Sequence, residues 1–198
     1  MIRVAVVDDH YAVRIGLTSM LSTEADIEPV GAASTAAELL PLLYRTAPDV
    51  VILDYRLPDT DGLTLCRAIK GDPPAPAIVL HSAFADDWLL IPARLAGADG
   101  VVHKGAPGRE LAATIRMVAA GANAVPPVDP ELLRASAESI DPEDLPILAM
   151  LVHGTAPRDI ADTLAIDPGA LRDRQGRMIA ALRAPSQVRA GSPRRAGS

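Results

Sequence analysis

The stretch Val50-Val51-Ile52-Leu53-Asp54-Tyr55-Arg56-Leu57-Pro58-Asp59-Thr60-Asp61-Gly62 drives four apolar residues straight into a carboxylate, then into a turn marked by Pro and Gly. The run is too short and too β-branched for a helix, so it reads as a strand. Its lack of polar alternation is the mark of a central strand in a parallel sheet covered on both faces. In open α/β sheets the chemistry sits just past the carboxyl ends of the strands, which is where Asp54 falls.

Working outward, short apolar runs alternate with helical spacing. Strands are predicted at 3–7, 28–33, 50–53, 77–82 and 100–102, and helices at 11–22, 35–45, 62–70, 86–96 and 109–120. Thr35 with Glu38 forms a capping-box pattern at the second helix. Five strands alternating with five helices give an α/β fold with a doubly wound five-stranded parallel sheet. Right-handed crossovers bring every strand's carboxyl end to one edge. That edge gathers Asp8 and Asp9 after the first strand, Asp54 after the third, Ser82 at the end of the fourth and Lys104 after the fifth.

Three carboxylates, a hydroxyl and an ammonium so gathered have a chemical meaning. Crowded carboxylates repel unless a cation neutralises them. A hard divalent ion with oxygen ligands, Mg²⁺ first, suits acids on a strand edge. With Lys104 adding a fixed positive charge, two cations surround one nucleophile, the arrangement phosphoryl transfer needs. An aspartate can be that nucleophile and form an aspartyl phosphate. Each residue alone has a plainer reading. Asp8 or Asp9 could cap the helix that starts at Tyr11, Asp54 could be a turn residue, and Lys104 a solvated one. His10 and His81 adjoin the site as neighbours rather than ligands, Cys66 faces the core, and His103 is read as a surface residue.

Composition narrows the class. The chain has 198 residues, 49% of them apolar, with a formal net charge of −6 and one cysteine. A real core is possible, a disulfide framework or cysteine metal cluster is not, and the chain as a whole is no polyanion binder. The N-terminal apolar run is too short for a signal peptide, and no stretch suits a membrane span, so a cytoplasmic protein without membrane contact is expected. Charge is uneven: from Pro168 onward seven arginines stand against the single acid Asp173.

Asp8-Asp9, Asp54, the "LPDTDG" loop, Ser82, "AGADG" and Lys104, in that order on those strands, resemble the receiver domain of a bacterial two-component response regulator. The resemblance covers residues 1 to about 121 and implies a flavodoxin-like fold. It implies that Asp54 accepts phosphate from a sensor histidine kinase. Mg²⁺ would be held by Asp8, Asp9, Asp54 and the backbone carbonyl of Arg56. Ser82 and Lys104 would engage the phosphoryl oxygens, with Arg56 and Phe84 tuning hydrolysis. The result is a switch, not a turnover enzyme. Two features depart from the family pattern. Val101 stands where an aromatic ring is usual, three residues before the lysine, and Pro92 falls inside the fourth helix, as Pro41 does inside the second, where it kinks or breaks the helix.

Beyond this, residues 122–139 read as a linker containing a short helix at 130–137. Three helices with proline-led starts follow, at 142–153, 157–164 and 168–182. The segment "LVHGTAPRDIADTLAIDPGALRDR" resembles a LuxR/NarL-type helix-turn-helix, which implies a small all-α DNA-binding domain over 140–184. By that resemblance Arg172, Arg174 and Arg177 face DNA. Pro146, Asp173 and Gly176 weaken the match. The family's fourth, dimerising helix is replaced by a basic tail over 185–198, read as disordered. A homodimer is expected on activation, and without that helix a two-fold DNA site would be engaged by receiver-mediated dimers or not at all. The alternative readings are a phosphorylation-dependent interaction protein whose helix-turn-helix no longer binds DNA, and a DNA binder that needs no phosphorylation.

Overall fold

The computed structural model describes residues 1–83 and 87–183. Phe84, the expected helix start at Asp86 and the tail 185–198 lie outside the described residues. Five strands, β1 (Ile2–Val7), β2 (Ile27–Ala33), β3 (Val50–Asp54), β4 (Ala77–Ser82) and β5 (Gly100–His103), form one sheet in the order β2-β1-β3-β4-β5. Every pairing is parallel. Helices α1 (Tyr11–Leu21), α2 (Ala36–Thr46), α3 (Gly62–Lys70), α4 (Asp87–Ala96) and α5 (Gly108–Ala119) alternate with the strands. This is the flavodoxin-like order, whose reversal point lies between β1 and β3.

One face of the sheet packs Val4, Val6, Val50, Ile52, Val79 and Val102 against Leu21 of α1 and Leu111, Ile115 and Val118 of α5. The alternate residues Ala5, Val7, Val51, Leu53, Ile78 and Leu80 are buried as well. The winding of the chain puts α2, α3 and α4 on that second face. Burial on both faces explains why β3 carries no polar residue until Asp54.

The loop after β3 is held at several points. Gly62 N–H donates to Tyr55 O at 2.7 Å, and a Cβ at Gly62 would overlap the Asp54 carbonyl oxygen, so glycine alone fits. Asp61 caps α3, its Oδ1 accepting from Leu63 N and Thr64 N at 3.0 Å. Asp59 caps a different helix: its two carboxylate oxygens accept from Ala36 N and Ala37 N of α2, each at 3.1 Å. Thr35 Oγ1 accepts from Glu38 N as the capping pattern requires, while Glu38 reaches back one residue further, to Ser34 N and Oγ. Pro41 and Pro92 lie inside α2 and α4 without ending either helix. Of the expected kink or break, the break does not occur; each proline removes one rung of the helical ladder.

The first compact unit runs from Met1 to Pro127. Ala124 bridges to Gly100 in parallel and donates to Asp99 O at 2.6 Å, and Arg94 Nη2 donates to Val125 O at 2.8 Å. Residues 122–127, assigned to a linker on sequence, therefore join the first unit.

The second unit begins at Val128 and contains α6 (Pro130–Ala137), a 3₁₀ turn (Pro142–Asp144), α7 (Leu145–Val152), α8 (Pro157–Leu164) and α9 (Pro168–Arg183). The helix expected from Pro142 is split by the 3₁₀ turn, which moves Pro146 into the first turn of α7. There the missing N–H has no partner to lose, so Pro146 starts the helix instead of breaking it. The turn between α8 and α9 follows the Schellman pattern. Ala165 adopts φ 52°, its N–H reaches Asp162 O, and Ile166 N–H closes on Ala161 O at 2.9 Å. Asp167 Oδ1 then accepts from Gly169 N and Ala170 N, opening α9. Gly176 is accommodated within α9. Ile140, Ile147, Leu148, Leu151, Ile160, Ala161, Leu171, Met178 and Ile179 form the buried apolar set.

Candidate functional site

Asp8 and Asp54 stand on the adjacent strand ends of β1 and β3, at the reversal point of the sheet. Both are almost fully buried, at 1% and 4% exposure. Lys104, just past β5, reaches them together: its Nζ lies 2.5 Å from Asp8 Oδ2 and 2.8 Å from Asp54 Oδ2. The remaining oxygens accept from the backbone, Asp8 Oδ1 from His10 N at 2.8 Å and Asp54 Oδ1 from Arg56 N at 3.3 Å. Arg14 Nη1 donates to Asp8 O at 2.6 Å and anchors the turn into α1.

The electrostatics match this crowding. Burial holds Asp54 above the usual carboxylate range, and the neighbouring Asp8 adds to the rise, against the pull of Lys104. Burial works to lower Lys104, but its bonds to Asp54 and Asp8 outweigh it and hold the ammonium above its ordinary value. A protonated lysine thus compensates two buried acids.

Asp9 is half-exposed beside them and meets His10 Nδ1 at 2.6 Å. One donor atom from each of Asp8, Asp9, His10 and Asp54 lies within 4.8 Å of all the others. Three carboxylates at such spacing fit a hard divalent cation, and His10 brings a nitrogen to the same place. The sequence reads His10 as a neighbour of the site, and its ring does adjoin Asp8 and Asp9. Ser82 is buried at 1% exposure at the end of β4, the strand next to β3. The structure thus brings Asp8, Asp9, Asp54 and Lys104 together, with Ser82 on the neighbouring strand end. Val101 is buried within β5. Tyr55, directly after Asp54, meets Trp88 of α4 edge to face, with ring centroids 5.6 Å apart.

A family model described as the response regulator receiver domain matches residues 4–116. The chain belongs to the response-regulator family. It is similar to the DNA-binding transcriptional activator DevR/DosR of Mycobacterium tuberculosis, with 32% identity over 192 residues, covering 92% of this chain and 88% of that protein. It is similar to the crystal structure of a LuxR-family two-component response regulator from Aurantimonas sp. SI85-9A1, with 30% identity and a TM-score of 0.59, over 69% of this chain and 95% of that one. The likeness to the response regulator ChrA of a heme-sensing two-component system spans 95% of this chain and 98% of that one, at 27% identity and a TM-score of 0.54. It therefore extends through the C-terminal helices, and this response regulator is of the LuxR type.

The three arginines predicted to face DNA are not equivalent in this response regulator. Arg172 and Arg177 are exposed on α9. Arg174 is half-buried, and its Nη1 pairs with Asp144 Oδ1 at 3.0 Å. Asp144 is itself buried, so Arg174 neutralises an interior acid. Neither the pair nor its purpose was legible in the sequence, because the partners are separated by 30 positions.

Proposed function

We propose that this response regulator accepts a phosphoryl group on Asp54 from a sensor histidine kinase and controls transcription through α8 and α9 bound to DNA. The observation that carries the reading is the double bridge from Lys104 Nζ to Asp8 and Asp54 inside a cluster of acids.

An ionised oxygen of Asp54 attacks phosphorus, the new O–P bond forms, and the donor's N–P bond breaks. The electron pair of that bond leaves with the donor imidazole. No proton need leave Asp54, so its protonated form is unreactive. Asp8, Asp9, Asp54 and the backbone carbonyl of Arg56 would hold Mg²⁺, which would supply positive charge to offset the phosphoryl and carboxylate oxygens. Lys104 supplies a second, fixed positive charge, and Ser82 donates its hydroxyl to a phosphoryl oxygen. The Arg56 side chain, two residues past the acceptor, tunes hydrolysis. The protein acts as a switch: its phosphorylated and free forms differ in contacts at Ser82 and Lys104, and that difference is the energy available to change shape.

At the output end, Arg172 and Arg177 contribute phosphate or base contacts, α9 lying in the major groove. Arg174 contributes by holding α9 in place. A homodimer of phosphorylated chains engages a two-fold DNA site in the cytoplasm. Incubation with acetyl phosphate and Mg²⁺, followed by intact-mass analysis, tests the first step: one added phosphoryl group is expected on the native chain and none on Asp54→Asn. Retention of fragmented genomic DNA with and without the donor tests the second. Recurrent, salt-sensitive sites that depend on the donor support it. Retention that is diffuse and unchanged by the donor overturns it.

A further inference from the structure

Ser82 and Lys104 sit on different strands, and the backbone bond that joins them directly is Lys104 N–H to Ser82 O, at 2.9 Å. Past that bond the β4–β5 ladder stops. The chain continues into Ala83 from one strand and into Gly105 from the other. His103 spans the gap between them. Its Nδ1 lies 2.9 Å from Gly105 N, and its Nε2 lies 3.0 Å from Ala83 O.

These contacts fix the state of the ring. A backbone N–H only donates, so Nδ1 is the bare nitrogen. A carbonyl only accepts, so Nε2 carries the proton. One neutral tautomer satisfies both partners at once. Gly105 is matched to the ring: a Cβ there would stand 3.0 Å from Nδ1 and 3.1 Å from Cε1, closer than ordinary side-chain contact. His103 is exposed, so apolar burial does not hold the imidazole in place; its two hydrogen bonds do.

We propose that His103 is a positioning residue for the phosphoryl site, tying the loop after Ser82 to the loop after Lys104 so that hydroxyl and ammonium keep their spacing around the phosphate. The proposal rests on Asp54 being the acceptor. His103 does not join the reacting groups; it acts through the two residues whose chain ends it clasps. Such groups need placement to within about half an ångström, which two loops freed from each other do not provide.

The test uses the full chain with His103→Leu, His103→Asn and His103→Gln. Leu removes both bonds. Asn keeps an acceptor within reach of Gly105, and Gln keeps a donor within reach of Ala83. Initial rates of Asp54 phosphorylation by acetyl phosphate with Mg²⁺, and the affinity for beryllofluoride by calorimetry, are measured for each. The loss of one neutral hydrogen bond corresponds to roughly a fivefold change, so His103→Leu, which loses two, is expected to slow labelling and weaken beryllofluoride by roughly five- to twenty-five-fold. Asn and Gln are expected to fall between Leu and the native chain, a graded rescue that general destabilisation does not produce. Nitrogen-15 spectra of the native protein are expected to show a neutral imidazole protonated at Nε2. Native rates in His103→Leu, or in both Asn and Gln should Leu fail to fold, overturn the proposal, as does an Nδ1-protonated ring. Absence of labelling in the native chain overturns the assignment of Asp54, and the role of His103 with it; that failure is read from the native arm alone.

Discussion

His81 offers a quantitative test of the acidic edge. It pairs in register with Asp54 across β3 and β4 and is buried, and its Nδ1 has no hydrogen-bond partner among the described residues. Burial pushes the imidazole down to about 4, and the charge of Lys104 adds to the shift while Asp8 opposes it. In the unfolded chain it titrates near the ordinary 6.5. Between these values the unfolded state binds the proton and the native state does not. Stability associated with neutral His81 is therefore fully present above 6.5 and is lost progressively as pH falls toward 4. The whole shift corresponds to about 3 kcal/mol, of which about 2 kcal/mol is lost by about pH 5. That is a large share of a marginal fold. Urea unfolding followed by Trp88 fluorescence reports on the first unit, since Trp88 is the chain's one tryptophan. Between about pH 7.5 and about pH 5, the native chain should lose about 2 kcal/mol more than His81→Leu. The variant should also gain about 1 kcal/mol at neutral pH by removing an unsatisfied buried nitrogen. Equal losses in the two proteins would refute the assignment of a neutral, desolvated imidazole.

Lys104→Met leaves Asp8 and Asp54 buried without their cation; urea unfolding should show a loss of about 3–5 kcal/mol, part of it recovered on adding Mg²⁺. Arg174→Ala strands the interior acid Asp144, so helical circular dichroism of the second unit should melt earlier, by about 3 kcal/mol. Arg177→Ala should leave that melting unchanged, weaken DNA retention, and lower the slope of log affinity against log salt by about one. Pro41→Ala restores a rung to an exposed position of α2 and should raise stability by about 1–3 kcal/mol, read as a higher urea midpoint.

What the sequence disclosed follows from locality. The run from Val50 to Leu53 announces a strand buried on both faces, because each residue reports its own environment. Asp8, Asp9, Asp54 and Lys104 were legible as a group because parallel topology alone sends them to one edge. What was not legible has the opposite character. Pro146 counted against the helix-turn-helix match because its effect depends on whether the helix starts at Pro142 or Leu145, a difference of one turn. Arg174, expected to face DNA, also meets Asp144, and a charged residue on a helix carries no mark of the acid it will meet in the fold. The same holds for Asp59, whose carboxylate caps α2, and for His103, whose two partners lie on separate loops. Pairings between distant positions leave no periodicity to read.

Cys66 lies sealed between α3 and α4, its Sγ–H directed at Ala96 O at 3.4 Å and its thiol pushed up to about 12 by burial. Reagents attack the thiolate, so in the closed protein this sulfur is silent on two counts, access and ionisation. It is also the chain's single cysteine. Alkylation therefore becomes a clock that ticks only when α3 and α4 part. Its rate in the resting chain and in the beryllofluoride-bound chain would count how often that seam opens in each, without any probe being added to the fold.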